Sequence, residues 1–176
     1  MNEICTAWNR AVLATLAATV QPCDIVVVHQ QRSKLSPALV AYYESLRAQV
    51  QALGASTVFI GDSVLLPERA SYCVPSTFAP NAAARCEQTI DAVDHPDEGQ
   101  RHNGWVTRAT EEAAFRRLAQ ANGTYFYPIY DTLCDAATGR CGAFVPGTST
   151  LAYFDNQHLT SAGALYLWPF FCAFFR

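Results

Sequence analysis

The segment DIVVVHQQRSKLSPALVAYYESLRAQVQALGASTVFIGDS, residues 24–63, predicts the fold of this chain. Its opening DIVVV run is continuously apolar after the aspartate, which is typical of a short strand buried on both faces of a parallel sheet. Ser36 and Pro37 are the residue types of an N-cap and a first helical position, and Gly54 is that of a helix end. A second apolar run, TVFI, follows the glycine. Strand, helix and strand in this order predict a parallel βαβ unit.

Further elements extend this pattern on both sides. Apolar residues at every fourth position from Ile4 to Leu16 predict a leading helix that ends before Pro22. Downstream, Thr110 is predicted to cap a helix, residues 124–129 to form a third strand, and the apolar C-terminal segment to form a last helix. The alternation predicts an α/β fold, a three-layer αβα sandwich with a parallel, flavodoxin-like sheet. Three strands make a thin sheet, so further structure is expected on the N-terminal side.

Length and composition limit the class of protein. With 176 residues, 51% of them hydrophobic, the chain is expected to form a single domain over 1–176 that contains an irregular excursion at 64–105. Only 15% of the residues are charged and the net charge is −3, which disfavours a nucleic-acid partner. No apolar run reaches the roughly 18 residues that a membrane helix needs. Residues 11–20 are interpreted as helix rather than as a signal peptide.

Seven cysteines are many for a cytosolic chain of this length and favour an oxidising, extracytoplasmic compartment. Four of them bracket two short loops and give the predicted disulfides Cys73–Cys86 and Cys134–Cys141. Zinc is the alternative, but the chain has no Cys-x-x-Cys pair and His95 and His102 are not at ligand spacing, so we predict no metal site. The pairing of the other three cysteines stays open; these are Cys5, Cys23 and Cys172.

The C-terminal part of the chain carries a candidate acid/base pair, Asp155 and His158. A carboxylate three residues before a histidine can turn back and accept a hydrogen bond from Nδ1–H, which orients the ring and stabilises the imidazolium. Nε2 is then available to take a proton from a nucleophilic hydroxyl. Thr160 or Ser161 can cap the helix that follows and fix the turn. A surface Asp/His pair in a capping loop is the alternative for the same spacing.

The context of this pair resembles the last motif of the SGNH hydrolase family. Residues 153–164, YFDNQHLTSAGA, contain Asp-x-x-His-Leu-Thr followed by a small-residue helix. More specifically, the chain looks like the extracytoplasmic SGNH domain attached to membrane acyltransferases of the acyltransferase-3 type. The features that match in order are Cys5 and Trp8 in the leading helix, 22–28, 46–54, 57–61, Cys73, Cys86, and 127–135 with Cys141.

The resemblance implies a serine nucleophile in a Gly-Asp-Ser block at the end of the first strand, near the chain start. No such block lies there; the Gly-Asp-Ser present, residues 61–63, follows the second predicted strand. Ser63 is the candidate nucleophile, and the alternatives are an accidental strand-end turn and a serine supplied by upstream sequence. Where many family members carry an Asn-bearing block, this chain has His29 and Gln30. These two are the oxyanion candidates, with plain strand-end polar residues as the alternative.

The resemblance implies an SGNH-like ester hydrolase or O-acyltransferase domain that acts on acylated carbohydrate or envelope glycan, without a metal or organic cofactor. The expected partners are an acyl ester or glycan substrate and a membrane acyltransferase domain upstream, with the SGNH domain on the extracytoplasmic side. The alternative is a non-catalytic carbohydrate-binding or structural module, or an inactive fragment, that kept the fold and lost the nucleophile. A flavodoxin-like binding domain is disfavoured because no phosphate-binding glycine loop follows the first strand.

Overall fold

The structure, a computed structural model, describes residues 3–29, 35–89, 108–135 and 137–174, without the side chains of residues 3–6 and 108. The helices in these ranges are α1 (Glu3–Thr19), α2 (Pro37–Ala52), α3 (Ala82–Arg85), α4 (Arg108–Leu118), α5 (Tyr130–Leu133) and α6 (Ser161–Phe174), with a 3-10 turn at Ala70–Cys73. The strands are β1 (Ile25–His29), β2 (Ser56–Ile60), β3 (Gln88–Thr89), β4 (Thr124–Tyr127), β5 (Cys134–Asp135) and β6 (Arg140–Cys141).

The described strands β1, β2 and β4 form a parallel sheet with β2 in the middle. Val58 of β2 pairs with Val27 of β1 and with Tyr125 of β4, so the carboxyl ends of the three strands meet at one edge. Alternate side chains point to opposite faces of the sheet. One face packs against α1, α2 and α4, and the other packs against α6. This arrangement confirms the predicted α/β sandwich with a parallel sheet.

An aromatic cluster fills the space between the sheet and the helices α2 and α4. Phe59 of β2 stacks on Phe115 of α4 with ring centroids 5.2 Å apart, and Tyr43 of α2 meets Phe59 edge-on at 5.7 Å. All three rings are buried, so they contribute much of the apolar contact that stabilises this layer. The Ser36 side chain caps the first turn of α2, as predicted.

The prediction that the first strand is buried on both faces is wrong for one face. Val26 and Val28 pack toward the cluster formed with α1 and α2, whereas Ile25 and Val27 are each 48% exposed. β1 is one of the two edge strands of the described sheet, and α6 packs over β2 and β4 on the other face. The second face of β1 is therefore half open among the described residues.

Two predicted element ends differ from the structure. α4 begins at Arg108, so Thr110 lies within the first turn of this helix and is not its N-cap. The third strand ends at Tyr127 instead of residue 129. Pro128 has no N–H to donate to a sheet, and the chain turns directly into α5.

The predicted excursion is described only in part. Residues 90–105, which include His95 and His102, lie outside the described ranges. Residues 64–89 contain the 3-10 turn, α3 and β3, and β3 joins β6 and β5 in a small antiparallel sheet in the order β3–β6–β5. The excursion therefore adds a second, smaller sheet to the domain.

Both predicted disulfides are confirmed, and they hold this smaller sheet. The Cα atoms are 5.6 Å apart in Cys73–Cys86 and 4.3 Å apart in Cys134–Cys141. Cys134 and Cys141 also pair across β5 and β6. Cys23 and Cys172 are free thiols, and the side chain of Cys5 is among those that the structure does not describe.

α6 is apolar around most of its surface. Leu167 and Phe171 pack onto the core, whereas Leu165 and Trp168 are exposed. Pro169 lies inside the helix. No helix within the described ranges is both long enough and apolar enough to cross a membrane.

Candidate active site

The turn between Ala152 and Thr160 carries the predicted acid/base pair, and we call it the Asp155 turn. Asp155 Oδ1 accepts hydrogen bonds from the backbone N–H groups of Gln157 and His158 at 2.9 and 2.8 Å. Asp155 Oδ2 lies 2.7 Å from His158 Nδ1. The carboxylate thus orients the imidazole and leaves Nε2 to exchange a proton with a ligand. This is the geometry expected from the spacing.

These contacts set the protonation state of Asp155. Desolvation raises the pKa of its carboxyl group, but hydrogen bonds from the His158 side chain and from the N–H groups of His158 and Gln157 outweigh it and lower the pKa to about 2. Asp155 is therefore ionised at neutral pH. The ionised carboxylate can accept the hydrogen bond from Nδ1–H of His158.

Contacts with α6 hold one end of the Asp155 turn. Thr160 Oγ1 donates to the carbonyl of Leu151 at 2.8 Å and accepts from the N–H of Gly163 at 3.0 Å, so Thr160 caps α6 as predicted. The N–H of Thr160 also donates to the carbonyl of Ala152 at 2.9 Å. Gly163 packs so closely on Ala152 that a Cβ at residue 163 would overlap the Ala152 carbonyl oxygen. The glycine of the motif is required by this close approach.

Contacts with the excursion hold the outer side of the same turn. The N–H of Leu66 donates to the carbonyl of Asn156 at 2.7 Å, and the N–H of Ala70 donates to the carbonyl of Asp155 at 3.1 Å. Leu66 and Ala70 are both buried. The segment that leads into the disulfide loop therefore packs directly on the Asp155 turn.

The Gly-Asp-Ser segment, residues 61–63, lies directly after β2 at the carboxyl edge of the sheet. The backbone N–H groups of these three residues donate, in order, to the Tyr127 carbonyl at 3.0 Å, to Oε2 of buried Glu111 at 3.4 Å and to the Asp62 carboxylate at 2.8 Å. All three N–H groups are engaged within the protein. In this arrangement residues 61–63 offer no backbone N–H group to an oxyanion.

Ser63 faces the Asp155 turn. Its hydroxyl donates to the carbonyl of Gln157 at 2.5 Å, and its own carbonyl accepts a hydrogen bond from the Tyr130 hydroxyl at 3.2 Å. A hydroxyl group has one proton to donate. Nucleophilic attack by Ser63 therefore requires its hydroxyl to rotate from the Gln157 carbonyl toward Nε2 of the next residue, His158.

A cavity of about 270 Å³ brings the candidate residues together at the carboxyl edge of the sheet. Its lining consists of His29, Asp62, Ser63, Ile129, Gln157, His158 and Leu159. His29 Nε2 lies 3.8 Å from Asp62 Oδ1, and about half of the His29 side chain is exposed. The structure thus places one oxyanion candidate, His29, in the cavity, whereas Gln30 lies outside the described residues. Ligands of parallel α/β sheets bind at this edge.

Three residues that support this site were not singled out from the sequence: Gln157, Tyr130 and Glu111. Gln157 and Tyr130 act on Ser63 through a backbone carbonyl and a hydroxyl, and neither contact has a sequence signature. Glu111 had a usable signal. It lies four residues before the buried Phe115 and so shares the inward face of α4, where a carboxylate needs a donor such as the Asp62 N–H.

Comparison with protein families gives a match over nearly the whole chain. The family described as "SGNH domain (fused to AT3 domains)" matches residues 2–172. The chain belongs to this family. This confirms the resemblance that the final motif indicated, and the SGNH domain carries a hydrolase or acyltransferase type of function. No curated protein and no solved structure matches this SGNH chain. Within its described residues, no group of three or more histidine, cysteine, aspartate or glutamate side chains is placed to hold a metal ion.

Proposed function

We propose that this SGNH domain is an ester hydrolase or O-acyltransferase domain that acts on acylated carbohydrate or envelope glycan. The observation that carries the proposal is the 2.7 Å contact of Asp155 with His158, whose side chain lines the same cavity as Ser63. Membership of the SGNH family supports the class of reaction. The glycan as substrate follows from the resemblance to SGNH domains of membrane O-acyltransferases.

The proposed reaction runs through an acyl-serine. Ser63 Oγ bonds to the ester carbonyl carbon while its proton passes to His158 Nε2, and Asp155 holds the ring. The tetrahedral intermediate collapses, the ester C–O bond breaks, and His158 returns the proton to the leaving alkoxide. A water molecule or an acceptor hydroxyl then attacks the acyl group by the same proton path, which gives hydrolysis or transfer. His29 is the proposed side-chain donor to the oxyanion.

A variant of this proposal takes the nucleophile from another segment of the protein. The position of β1 at an edge of the described sheet supports it, because a further parallel strand paired with β1 would end next to His29 and the cavity. In this variant Asp155 and His158 keep their roles, and Ser63 is a strand-end turn.

A second candidate function is a non-catalytic carbohydrate-binding module. The observation that favours it is the engagement of Ser63: its hydroxyl is directed at the Gln157 carbonyl, and the N–H groups of residues 61–63 are used internally. In this state the hydroxyl of Ser63 is not directed at His158, and residues 61–63 have no backbone N–H group to offer an oxyanion.

We also propose that the domain works on the extracytoplasmic side, next to a membrane acyltransferase domain. The two disulfides support an oxidising compartment. The family description, which states fusion to AT3 domains, supports the membrane partner.

Hydrolysis of 4-nitrophenyl acetate by four variants tests the catalytic proposal. We expect His158→Ala and Ser63→Ala each to lower kcat/KM by about 100-fold or more, and Asp155→Asn to lower it less, since the imidazole remains. Ser45→Ala, an exposed serine of α2, is the matched control and should keep the wild-type rate. Unfolding curves of all variants establish that each one folds.

The pattern of losses separates the alternatives. Loss in both His158→Ala and Ser63→Ala supports Ser63 as the nucleophile. Loss in His158→Ala alone places the nucleophile in another segment, and a serine-reactive fluorophosphonate followed by peptide mass spectrometry would identify the labelled residue. An unchanged rate in His158→Ala would reject the catalytic proposal and leave the binding module.

A further inference from the structure

A second cavity, of about 590 Å³, has no described lining residue in common with the candidate active site. We call it the disulfide cavity because residues adjacent to all four half-cystines line it. These neighbours are Val74 after Cys73, Glu87 after Cys86, Asp135 after Cys134, and Arg140 before Cys141. Two covalent bonds and the β3–β6–β5 sheet fix one side of the lining in advance, which limits the conformational entropy that is lost when a ligand binds.

The lining offers both donors and acceptors of hydrogen bonds. Arg140 Nε lies 2.8 Å from Glu87 Oε2, and nearly half of each side chain is exposed, so a guanidinium and a carboxylate stand side by side at the surface. Asp135 adds a second carboxylate, and Thr138 and Ser149 add hydroxyl groups. A hydroxyl group of a ligand can donate to the carboxylates and accept from the guanidinium.

One side of the disulfide cavity is apolar. Phe144, Val74 and Pro146 contribute to it. An aromatic ring and aliphatic carbons of this kind pack against the C–H groups of a ligand. The volume lies within the range of roughly 300–1,000 Å³ that is typical of small-molecule sites.

We propose that the disulfide cavity binds a short, uncharged saccharide. Two carboxylates, Glu87 and Asp135, outnumber the one guanidinium of Arg140, so the lining disfavours phosphate or carboxylate ligands. A saccharide has hydroxyl groups that both donate and accept, and C–H faces that fit the apolar side. That this saccharide is the glycan modified at the active site rests on the proposed function; the binding itself rests on the lining alone.

Titration of the ¹⁵N-labelled protein with cellobiose and with maltose tests the proposal by NMR. We expect shifts of the backbone amides of Gly142, Gly147 and Ser149, which line the cavity. Arg140→Gln and Phe144→Leu should each weaken the affinity by about tenfold or more, because they remove charge-assisted hydrogen bonds and the packing face. The matched control is Arg116→Gln, which breaks an arginine–glutamate pair of 3.2 Å on α4 and should leave the affinity unchanged.

Several outcomes would overturn the proposal. Absence of shifts at the lining amides with both disaccharides rejects the site, and equal binding of glucuronate rejects the uncharged class. Equal weakening in Arg116→Gln would show that the loss in Arg140→Gln is not local to the cavity. Thermal unfolding of each variant shows that loss of binding is not loss of fold.

The same variants separate this inference from the proposed function. His158→Ala should bind the disaccharides as the wild type does, and Arg140→Gln should still hydrolyse 4-nitrophenyl acetate. Binding of the disaccharides without any ester hydrolysis would reject the proposed function and support the saccharide site. Hydrolysis without disaccharide binding would reject the saccharide site alone.

Discussion

Two aspartate turns of this domain, at Asp135 and Asp155, begin with the same local contact. In each, Oδ1 accepts a hydrogen bond of 2.9 Å from the backbone N–H two residues later. The Asp155 turn adds His158, whose ring contacts the second carboxylate oxygen, whereas the Asp135 turn is closed by the Cys134–Cys141 disulfide. One turn thereby holds a candidate acid/base pair, and the other is a covalently fixed part of a cavity wall. The turn itself is therefore encoded locally, whereas its role in the domain depends on which further side chain contacts the aspartate.

Removing a disulfide should have the largest effect, since it opens the covalently fixed region. We expect Cys134→Ala/Cys141→Ala to lower the free energy of unfolding by about 2.5 kcal/mol, and Cys73→Ala/Cys86→Ala by about 3 kcal/mol, because the second pair closes the longer loop. The separations are 7 and 13 residues. Urea denaturation measures both values.

The control for this experiment is Cys23→Ser, which changes an exposed free thiol and should leave the urea midpoint unchanged. Equal stability of the wild type and either double variant would mean that the disulfide does not constrain the unfolded chain. The disulfide would then not distinguish the Asp135 turn from the Asp155 turn in stability.

Each region also depends on one glycine, but for a different reason. Gly163→Ala should lower the free energy of unfolding by about 1–3 kcal/mol, because the new Cβ would meet the Ala152 carbonyl oxygen. Gly139→Ala should cost about 1 kcal/mol, since residue 139 has φ = 64° and has open space around it. Thermal or urea unfolding compares the two. A stabilised Gly163→Ala, the usual result in a helix, would contradict the close approach.

Features with a local signal were predicted from the sequence, and features set by distant contacts were not. The Ser36 cap, the two disulfides and the Asp155–His158 contact each depend on residues close in the chain. The exposure of Ile25 was not predicted, because strand order decides which strand is an edge. The spacing of Glu111 and Phe115 could have indicated an inward-facing carboxylate, but not its partner, because Asp62 lies 49 residues away in the chain.

For the candidate cavity, only its position at the ends of the strands was predicted. The rule that ligands bind at the carboxyl edge of a parallel sheet places His29 and Ser63 near each other. The direction of the Ser63 hydroxyl, toward Gln157, depends on side-chain rotation in the folded protein. The disulfide cavity was not predicted at all, because its lining comes from segments far apart in the chain.

A smaller effect is expected from the threonine that fixes the Asp155 turn to α6. Thr160→Val keeps the shape but removes the hydroxyl that caps Gly163 N–H and contacts Leu151, so we expect a loss of about 1 kcal/mol in the free energy of unfolding. Thr138→Val makes the same substitution in the Asp135 turn. It should lower the free energy of unfolding by less than Thr160→Val does, because the disulfide keeps the Asp135 turn closed. A larger loss of stability in Thr138→Val than in Thr160→Val would mean that the disulfide does not keep the Asp135 turn closed.

The smallest effect is an acid dependence that distinguishes the two carboxylates. The pKa of Asp155 is lowered from 3.8 to about 2 in the folded protein, because its hydrogen bonds with His158 and Gln157 outweigh desolvation. A lowered pKa means that the contribution of Asp155 to stability is complete above about pH 3.8 and is lost as the pH falls through about 2. The difference in free energy of unfolding between the wild type and Asp155→Asn should therefore shrink over that interval.

Asp135→Asn should change the dependence of the free energy of unfolding on pH in the same direction but less, since the pKa of Asp135 is lowered only by the Ala137 N–H and Thr138 in an exposed turn. Identical acid dependence of Asp155→Asn and the wild type would mean that the hydrogen bonds to Asp155 from His158 and Gln157 are not formed in solution.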